Sequence, residues 1–146
     1  SDDALRFVMK FARTIEKKVI VLTESPGNIS TRLIVTLINE ACEILMEGVA
    51  NAGNIDNTMK LGFGLQFGPL EMADRIGLDK VIKWMNNLYQ EFGDRKFKPN
   101  PILKRLYRLG KHGKRSGSGF YIYEKGKIAG ESITCPEIIK DKNGLA

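Results

Sequence analysis

The residue types that most often carry enzyme chemistry are sparse in this sequence. There is one histidine among 146 residues, His112, and it lies in a basic, glycine-rich segment. A Ser-His-Asp or Cys-His pair requires a histidine buried beside its nucleophile, and the neighbours of His112 give no sign of such a pair. We therefore predict that His112 is a solvated loop residue.

Metal and disulfide chemistry are also weakly supported. The two cysteines, Cys42 and Cys135, are far apart, form no C-x-x-C motif and have no cluster of carboxylates beside them. Cys42 falls in an apolar helical pattern, which predicts a small buried hydrophobic residue. Cysteines that form no disulfide framework fit a reducing compartment. We predict a cytoplasmic protein without a metal site.

The motifs that bind nucleotides or cross membranes are missing too. No G-x-G-x-x-G follows a strand, and no G-x-x-x-x-G-K-[ST] occurs. Gly62, Gly64 and Gly68 have a different spacing and no apolar strand before them. No apolar run reaches the roughly 20 residues that a membrane-spanning helix needs. We predict no cofactor site in this chain and no membrane partner.

Positive charge is concentrated in one window. The chain carries a net charge of +6, yet residues 95–123 contain nine Lys or Arg and no acid. A basic patch points to an anionic partner, such as nucleic acid, the phosphate groups of a ligand or an acidic surface. Phe97 and Tyr107 interleave the charges, as in some nucleic-acid-binding segments. An amphipathic helix with a wet basic face explains the pattern more simply, and we predict no nucleic-acid partner.

The first 23 residues predict an α-β unit. Residues 2–18 have apolar positions at spacings of three and four, which is typical of an amphipathic helix. Four consecutive apolar residues follow at 19–22, three of them β-branched, and indicate a buried strand of a parallel sheet. Because a lone strand is not stable, we expect it either to pair with the same strand of a second copy or to belong to a larger sheet outside this sequence.

A turn at Pro26 and Gly27 separates that unit from a long helix over 29–49. Ser30 or Thr31 is the predicted N-cap. The helix is apolar over much of its circumference, so we expect several neighbours, some of them from a second subunit. We predict a homodimer with these residues at its interface: Leu33, Leu37 and Ile44.

The rest of the chain predicts short helices and a tail. Helices are expected over 54–61, from Pro69 to 77, from Asp79 to Gly93 and over 102–110. A basic glycine-rich loop and an extended aromatic segment at 120–123 follow. Residues 124–146 are polar and weakly patterned, which predicts a tail.

Three sequence blocks resemble a known family. They are a Pro-Gly turn followed five residues later by Arg32, the block LGFG-x-x-FGPLEMAD-x-IGLD, and the closing KRSGSGFYIY. In this order they resemble the C-terminal part of the 3-hydroxyacyl-CoA dehydrogenases, particularly the 3-hydroxybutyryl-CoA dehydrogenase branch. The resemblance covers about residues 1–123. It implies a mainly α fold, with residues 1–25 as the last helix and strand of a Rossmann domain and residues 26–123 as a helical dimerisation domain like that of 6-phosphogluconate dehydrogenase.

The resemblance also implies a function. In that family a Rossmann domain binds NAD, and a 3-hydroxyacyl-CoA or 3-oxoacyl-CoA lies between the two domains, in fatty acid and butanoate metabolism. The dinucleotide glycines, the catalytic histidine and its glutamate are expected upstream of residue 1. This chain alone is therefore expected to bind no NAD and to be inactive. Thr31 occupies the position of the family's active-site asparagine, and Asn28 that of an aromatic residue.

Two other functions remain open at this point. The broad apolar helix could belong to a non-catalytic self-association module. A related dehydrogenase acting on a sugar acid or another hydroxy acid would share the same helical domain. Thr31 has a second interpretation as well, because a threonine near a helix start can simply cap it.

Overall fold

The computed structural model describes residues 2–133, and its described part is mostly helical. The mainly α class predicted from the sequence is confirmed. Two 3-10 turns, Arg95–Phe97 and Lys114–Ser116, and an antiparallel hairpin of β1 (Tyr121–Glu124) and β2 (Lys127–Glu131) accompany the helices. The helices are α1 (Asp2–Thr14), α2 (Ile29–Met46), α3 (Ala52–Phe63), α4 (Pro69–Ile76), α5 (Leu78–Phe92) and α6 (Pro101–Arg108).

Asparagines and prolines mark the helix starts. The Asn28 side chain caps α2 by accepting a hydrogen bond from the backbone N–H of Thr31 at 2.7 Å. The predicted caps, Ser30 and Thr31, are wrong because α2 already begins at Ile29 and both residues lie inside its first turn. Pro69 is the first residue of α4, as predicted, and α6 begins at Pro101, one residue before its predicted start.

Helix α2 is the centre of the core. It packs against α3, α4, α5 and α6. Cys42 is fully buried, as predicted, and burial raises the pKa of its thiol well above the usual range. The thiol therefore stays protonated and behaves as an apolar group. The other residues on the buried face of α2 are Val35, Ile38, Ala41 and Leu45.

A buried aspartate on α3 holds the start of α4. Asp56 is 1% exposed, and its carboxylate accepts the backbone N–H groups of Leu70 and Glu71, each at 2.8 Å. The first N–H groups of a helix have no partner within it, and Gly68 has no side chain to supply one. Asp56 therefore caps α4 from a neighbouring helix. Burial raises the pKa of Asp56, against the effect of these bonds and of one from Tyr121.

A second buried aspartate joins α4 to the hairpin. Asp74 is 1% exposed and accepts the backbone N–H groups of Phe120 and Tyr121 at 2.9 and 3.0 Å. The Tyr123 hydroxyl donates to the same carboxylate at 3.1 Å, and the Tyr121 hydroxyl donates to Asp56 at 2.7 Å. Burial raises the pKa of Asp74 to about 6, although all three donors favour its charged form. The hairpin is thus fixed to both carboxylates.

Glycines allow these close approaches. A Cβ at Gly68 would overlap Cα, Cβ and Cγ of Asp56, and a Cβ at Gly119 would overlap the carboxylate of Asp74. Both glycines belong to the sequence blocks that carry the family resemblance. Their role is therefore steric, since only a residue without a side chain leaves room for the buried carboxylate.

Two predicted elements are corrected by the structure. Residues 19–22 form no strand, and Ile20 is 80% exposed. A strand needs a partner for its N–H and C=O groups, and no other strand of the described residues lies beside this segment. The tail predicted from residue 124 is also wrong in its first part, because Lys127–Glu131 forms β2 and the Glu131 carboxylate accepts the N–H of Gly53 at 2.9 Å. Residues 134–146, including Cys135, lie outside the described part. The division of the chain into a domain of residues 1–25 and a domain of residues 26–123 stays a prediction.

The substitution Gly68→Ala tests the steric role of this glycine. The new methyl group overlaps the backbone of Asp56, so we expect a loss of about 2 kcal/mol or more in the free energy of unfolding. Gly62→Ala is the matched control, because Gly62 lies in α3 with open space around it. It should be neutral or stabilising by about 0.5 kcal/mol. Thermal unfolding followed by circular dichroism measures both, and equal midpoints for the two variants would contradict the packing described.

Candidate functional site

Thr31 is the third residue of α2 and is half-buried. Its backbone N–H is occupied by Asn28, but its hydroxyl makes no hydrogen bond to any of residues 2–133. The interpretation of Thr31 as a helix cap is therefore wrong. A free hydroxyl in the first turn of a helix can donate one hydrogen bond and accept others. The structure leaves this side chain available to a ligand, while its catalytic or substrate-binding role stays a prediction.

Arg32 attaches the preceding turn to α5. Its guanidinium lies over the ring of Phe92, with 4.7 Å from Cζ to the ring centroid, and Nη1 donates to the Ser25 hydroxyl at 3.3 Å. Gly27 has a φ of +68° and lies so close to α5 that a Cβ there would be 2.7 Å from Cδ2 of Leu88. The turn and the first residues of α2 are therefore held from the side, which fixes the position of Thr31.

A groove of about 310 Å³ runs along α2 beside this turn. Its walls are mostly apolar, and Arg32 and Lys96 are its charged residues. Thr36 also lines it, but its hydroxyl donates to the carbonyl of Arg32 at 2.8 Å and has no proton left for a ligand. The remaining lining residues are Ile29, Leu33 and Phe97. Thr31 is not among the residues that line the groove, so the groove and the Thr31 hydroxyl belong to different faces of α2.

The residues predicted for a dimer interface do not share one environment. Leu33 is 66% exposed, and Ile29 beside it is also exposed. Leu37 is half-buried, and Ile44 packs partly against the core of its own chain. Leu33 thus offers the largest free apolar surface of the three. Their role in a dimer remains a prediction.

His112 is not the solvated residue that we predicted. Its backbone carbonyl accepts the N–H of Leu78 at 3.0 Å, and its ring packs edge-on against Tyr107 at 4.8 Å between centroids. Its Nδ1 is buried without a hydrogen-bond partner among the described residues. The Ser116 hydroxyl accepts the backbone N–H of His112 rather than contacting the imidazole. The loop is held in place by these contacts, and they form no nucleophile–base pair.

Metal binding has no support in the described residues. No group of three or more His, Cys, Asp or Glu side chains within 2–133 is placed to hold a metal ion. No helix of that range is long and apolar enough to cross a membrane. The described residues also contain no strand, glycine-rich turn and helix in the sequence that a dinucleotide site needs.

The comparison with known families agrees with this architecture. A sequence model of the C-terminal domain of 3-hydroxyacyl-CoA dehydrogenases matches residues 27–123. The chain belongs to the 3-hydroxyacyl-CoA dehydrogenase family. The resemblance seen in the three sequence blocks is thereby confirmed.

Curated relatives support the same family. A probable 3-hydroxybutyryl-CoA dehydrogenase of Deinococcus radiodurans is 41% identical over 123 residues, which are 84% of this chain and 44% of the relative. The 3-hydroxybutyryl-CoA dehydrogenase of Clostridioides difficile is 42% identical over 118 residues, which are 81% of this chain and 42% of the relative. The chain thus spans less than half the length of these relatives.

A solved structure shows the same fold. The crystal structure of (S)-3-hydroxybutyryl-CoA dehydrogenase from Ralstonia eutropha matches with a TM-score of 0.80 and 38% identity. The match covers 86% of this chain and 44% of that one. The helical C-terminal domain of the dehydrogenase family is therefore the correct description of the fold.

Several residues that shape the domain were missed by sequence reasoning. Asp56, with Asn54 as the alternative, is predicted as the N-cap of the helix over 54–61, and Asp74 has no predicted role beyond the family block. Both are buried acceptors for distant donors. Arg32 was used only as part of a family block, although it connects the 25–27 turn to α5. The one signal available was the family resemblance, since the glycines of its blocks lie where these side chains pack.

Removing the Asn28 side chain separates capping from ligand binding in the first turn of α2. Asn28→Ala should lower the free energy of unfolding by about 1 kcal/mol because the N–H of Thr31 loses its acceptor, and Asn28→Ser should restore most of it. Thr31→Ala should change stability by less than about 0.5 kcal/mol, since its hydroxyl caps nothing. Urea unfolding measures all three. A larger loss from Thr31→Ala than from Asn28→Ala would reverse this assignment.

Proposed function

We propose that this chain is the substrate-facing and dimerising domain of an NAD-dependent 3-hydroxybutyryl-CoA dehydrogenase. The supporting observation is the match, over more than four-fifths of the chain, to proteins that bear this name. The parent enzyme interconverts a short-chain 3-hydroxyacyl-CoA and its 3-oxoacyl-CoA. A cytoplasmic location and a place in fatty acid and butanoate metabolism stay predictions.

In this proposal the cofactor belongs to another part of the parent enzyme. The described residues do not fit NAD, because they offer no glycine-rich turn between a strand and a helix. This chain contributes the first turn of α2, which carries Thr31. The Thr31 hydroxyl hydrogen-bonds an oxygen of the substrate, in place of the amide that the family places here. A hydroxyl is shorter and has one donor, so it holds the substrate with less reach.

The dimer part of the proposal is supported by exposed apolar surface. Ile29 and Leu33 are both more than half exposed on the same face of α2. Large exposed side chains on a core helix are unfavourable in water, and a second subunit that covers them removes this exposure. Ile29 and Leu33 also line the groove on α2. A second subunit that covers these side chains would therefore also cover the groove.

An activity assay tests the catalytic part. The 146-residue chain should consume no NADH above background with acetoacetyl-CoA, because it lacks cofactor and base. The full-length parent should turn over, and Thr31→Ala in it should lower kcat/KM roughly tenfold or more. Ser30→Ala is the matched control with an adjacent hydroxyl and should leave kcat/KM unchanged. Turnover by the 146-residue chain, or a full-length parent without activity, would contradict this proposal.

A charge at Leu33 tests the dimer. Leu33→Glu should convert a dimer into a monomer at micromolar concentration, because it would bury an unpaired carboxylate in the interface. Leu109→Glu is the control, since Leu109 is 60% exposed on a different element. Multi-angle light scattering reports the mass of each variant. A monomeric unsubstituted chain would contradict the dimer.

One observation favours a second candidate. Thr31 stands where the family has asparagine, which is compatible with a self-association module that has lost its chemistry. The Thr31→Asn variant of the parent distinguishes the two functions. A large rise in kcat would indicate a decayed or specialised site. A related dehydrogenase for another hydroxy acid would show activity with that acid and none with acetoacetyl-CoA.

A further inference from the structure

A second and larger cavity lies on α2, away from Thr31. It has a volume of about 670 Å³ and is bounded by the middle of α2, by the segment 95–101 and by one side of α6. Its walls carry five cations and two carboxylates, Glu40 and Glu43, which leaves a net charge of +3. The cations are Arg95, Lys96, Lys98, Lys104 and Arg108.

Most of these cations have no partner among residues 2–133. Lys96 pairs with Asp94 at 3.0 Å, whereas the other four make no ion pair or hydrogen bond through their side chains with residues 2–133. Glu43 is already engaged, because its carboxylate accepts a hydrogen bond from the Asn100 amide at 2.7 Å. The cavity therefore presents positive charge that the described residues do not neutralise.

An amphipathic helix does not account for this arrangement. It explains Lys104 and Arg108, which lie one turn apart on the side of α6 away from the core. Arg95 and Lys98 lie on a different segment and face the same cavity. Like charges one helical turn apart repel each other, and gathering more of them in a concavity adds to this repulsion. A bound anion would relieve it.

The wall that carries Arg95 and Lys98 is rigid. The Asn39 amide of α2 donates to the carbonyls of Lys96 and Lys98 at 3.1 and 3.0 Å, and its oxygen accepts the N–H of Asn100 at 2.9 Å. Phe97, between the two lysines, is buried in the core. The backbone positions of the cations are thus set before any ligand binds, which lowers the entropy lost on binding.

We propose that this cavity binds a small ligand with two or more phosphate groups, of the nucleotide class. Its volume is in the range of small-molecule sites, and its net charge complements that of a diphosphate. Arginine and lysine side chains together form charge-assisted hydrogen bonds to phosphate oxygens. With a free nucleotide the proposal goes beyond the dehydrogenase function, whereas with a coenzyme thioester it rests on the function proposed above. The ligand can be a free nucleotide or the nucleotide part of a coenzyme thioester.

Isothermal titration of the 146-residue chain with ADP, pyrophosphate and coenzyme A tests this site. A variant with Lys98→Gln, Lys104→Gln and Arg108→Gln removes three charges from the cavity. The control variant, with Lys10→Gln, Lys80→Gln and Lys83→Gln, removes the same charge from exposed positions elsewhere. We expect saturable one-to-one binding that weakens roughly tenfold or more in the cavity variant and changes little in the control. Circular dichroism checks that both variants fold.

The probes also separate the possible ligands. Binding of ADP and coenzyme A alike indicates a free-nucleotide site, whereas binding of coenzyme A alone indicates the thioester's own nucleotide part, and both outcomes support the proposal. Equal weakening in the two variants, or no binding of any probe, would overturn it. Affinity for single-stranded oligonucleotides that grows with their length and is lost in the cavity variant would also overturn it, in favour of a nucleic-acid surface.

Discussion

The buried carboxylates of Asp56 and Asp74 are the interaction on which the second half of this domain depends. Each lies almost wholly out of water and accepts three hydrogen bonds. A buried, ionised carboxylate is very unfavourable unless its oxygens accept hydrogen bonds. The donor groups therefore have to keep their positions relative to the two carboxylates. Asp56 fixes the start of α4, Asp74 fixes the hairpin, and the phenol of Tyr121 connects them. The sequence blocks that identify the family are largely this network and its glycines, and so they report structure rather than chemistry.

Helix α2 forms part of two different surfaces of the domain. Near its start, Asn28 caps the turn that carries Thr31, and Arg32 attaches that turn to α5. Near its middle, Asn39 holds the segment that supplies a basic cavity. Both surfaces are positioned by side chains of one rigid helix that is packed on four others. A single core element thus sets the geometry of the proposed reacting end and of the phosphate-binding cavity.

Local patterns predicted the helices but not the residues that connect them. The spacing of apolar residues, together with Pro69 at a helix start and Gly93 at a helix end, predicted the bounds of α4 and α5 to within a residue or two. The strand at 19–22 failed because β-structure depends on a partner that local sequence does not supply. Asp56 was missed because polarity predicts exposure, and its Tyr121 partner is 65 positions away. Thr31 could be singled out only through the family resemblance, since a lone hydroxyl has no pattern of its own.

The long spacing between the two ends of the network also bears on how the chain is made. Helix α4 leaves the ribosome with Asp74 unpaired, because its backbone donors follow 46 and 47 residues later. Until those residues emerge, an apolar surface and the Asp74 carboxylate, which lacks its backbone donors, remain exposed together. The domain therefore completes its fold only after residues 120 and 121 have emerged, and a ribosome stalled before residue 120 would leave a nascent chain for chaperones to shield.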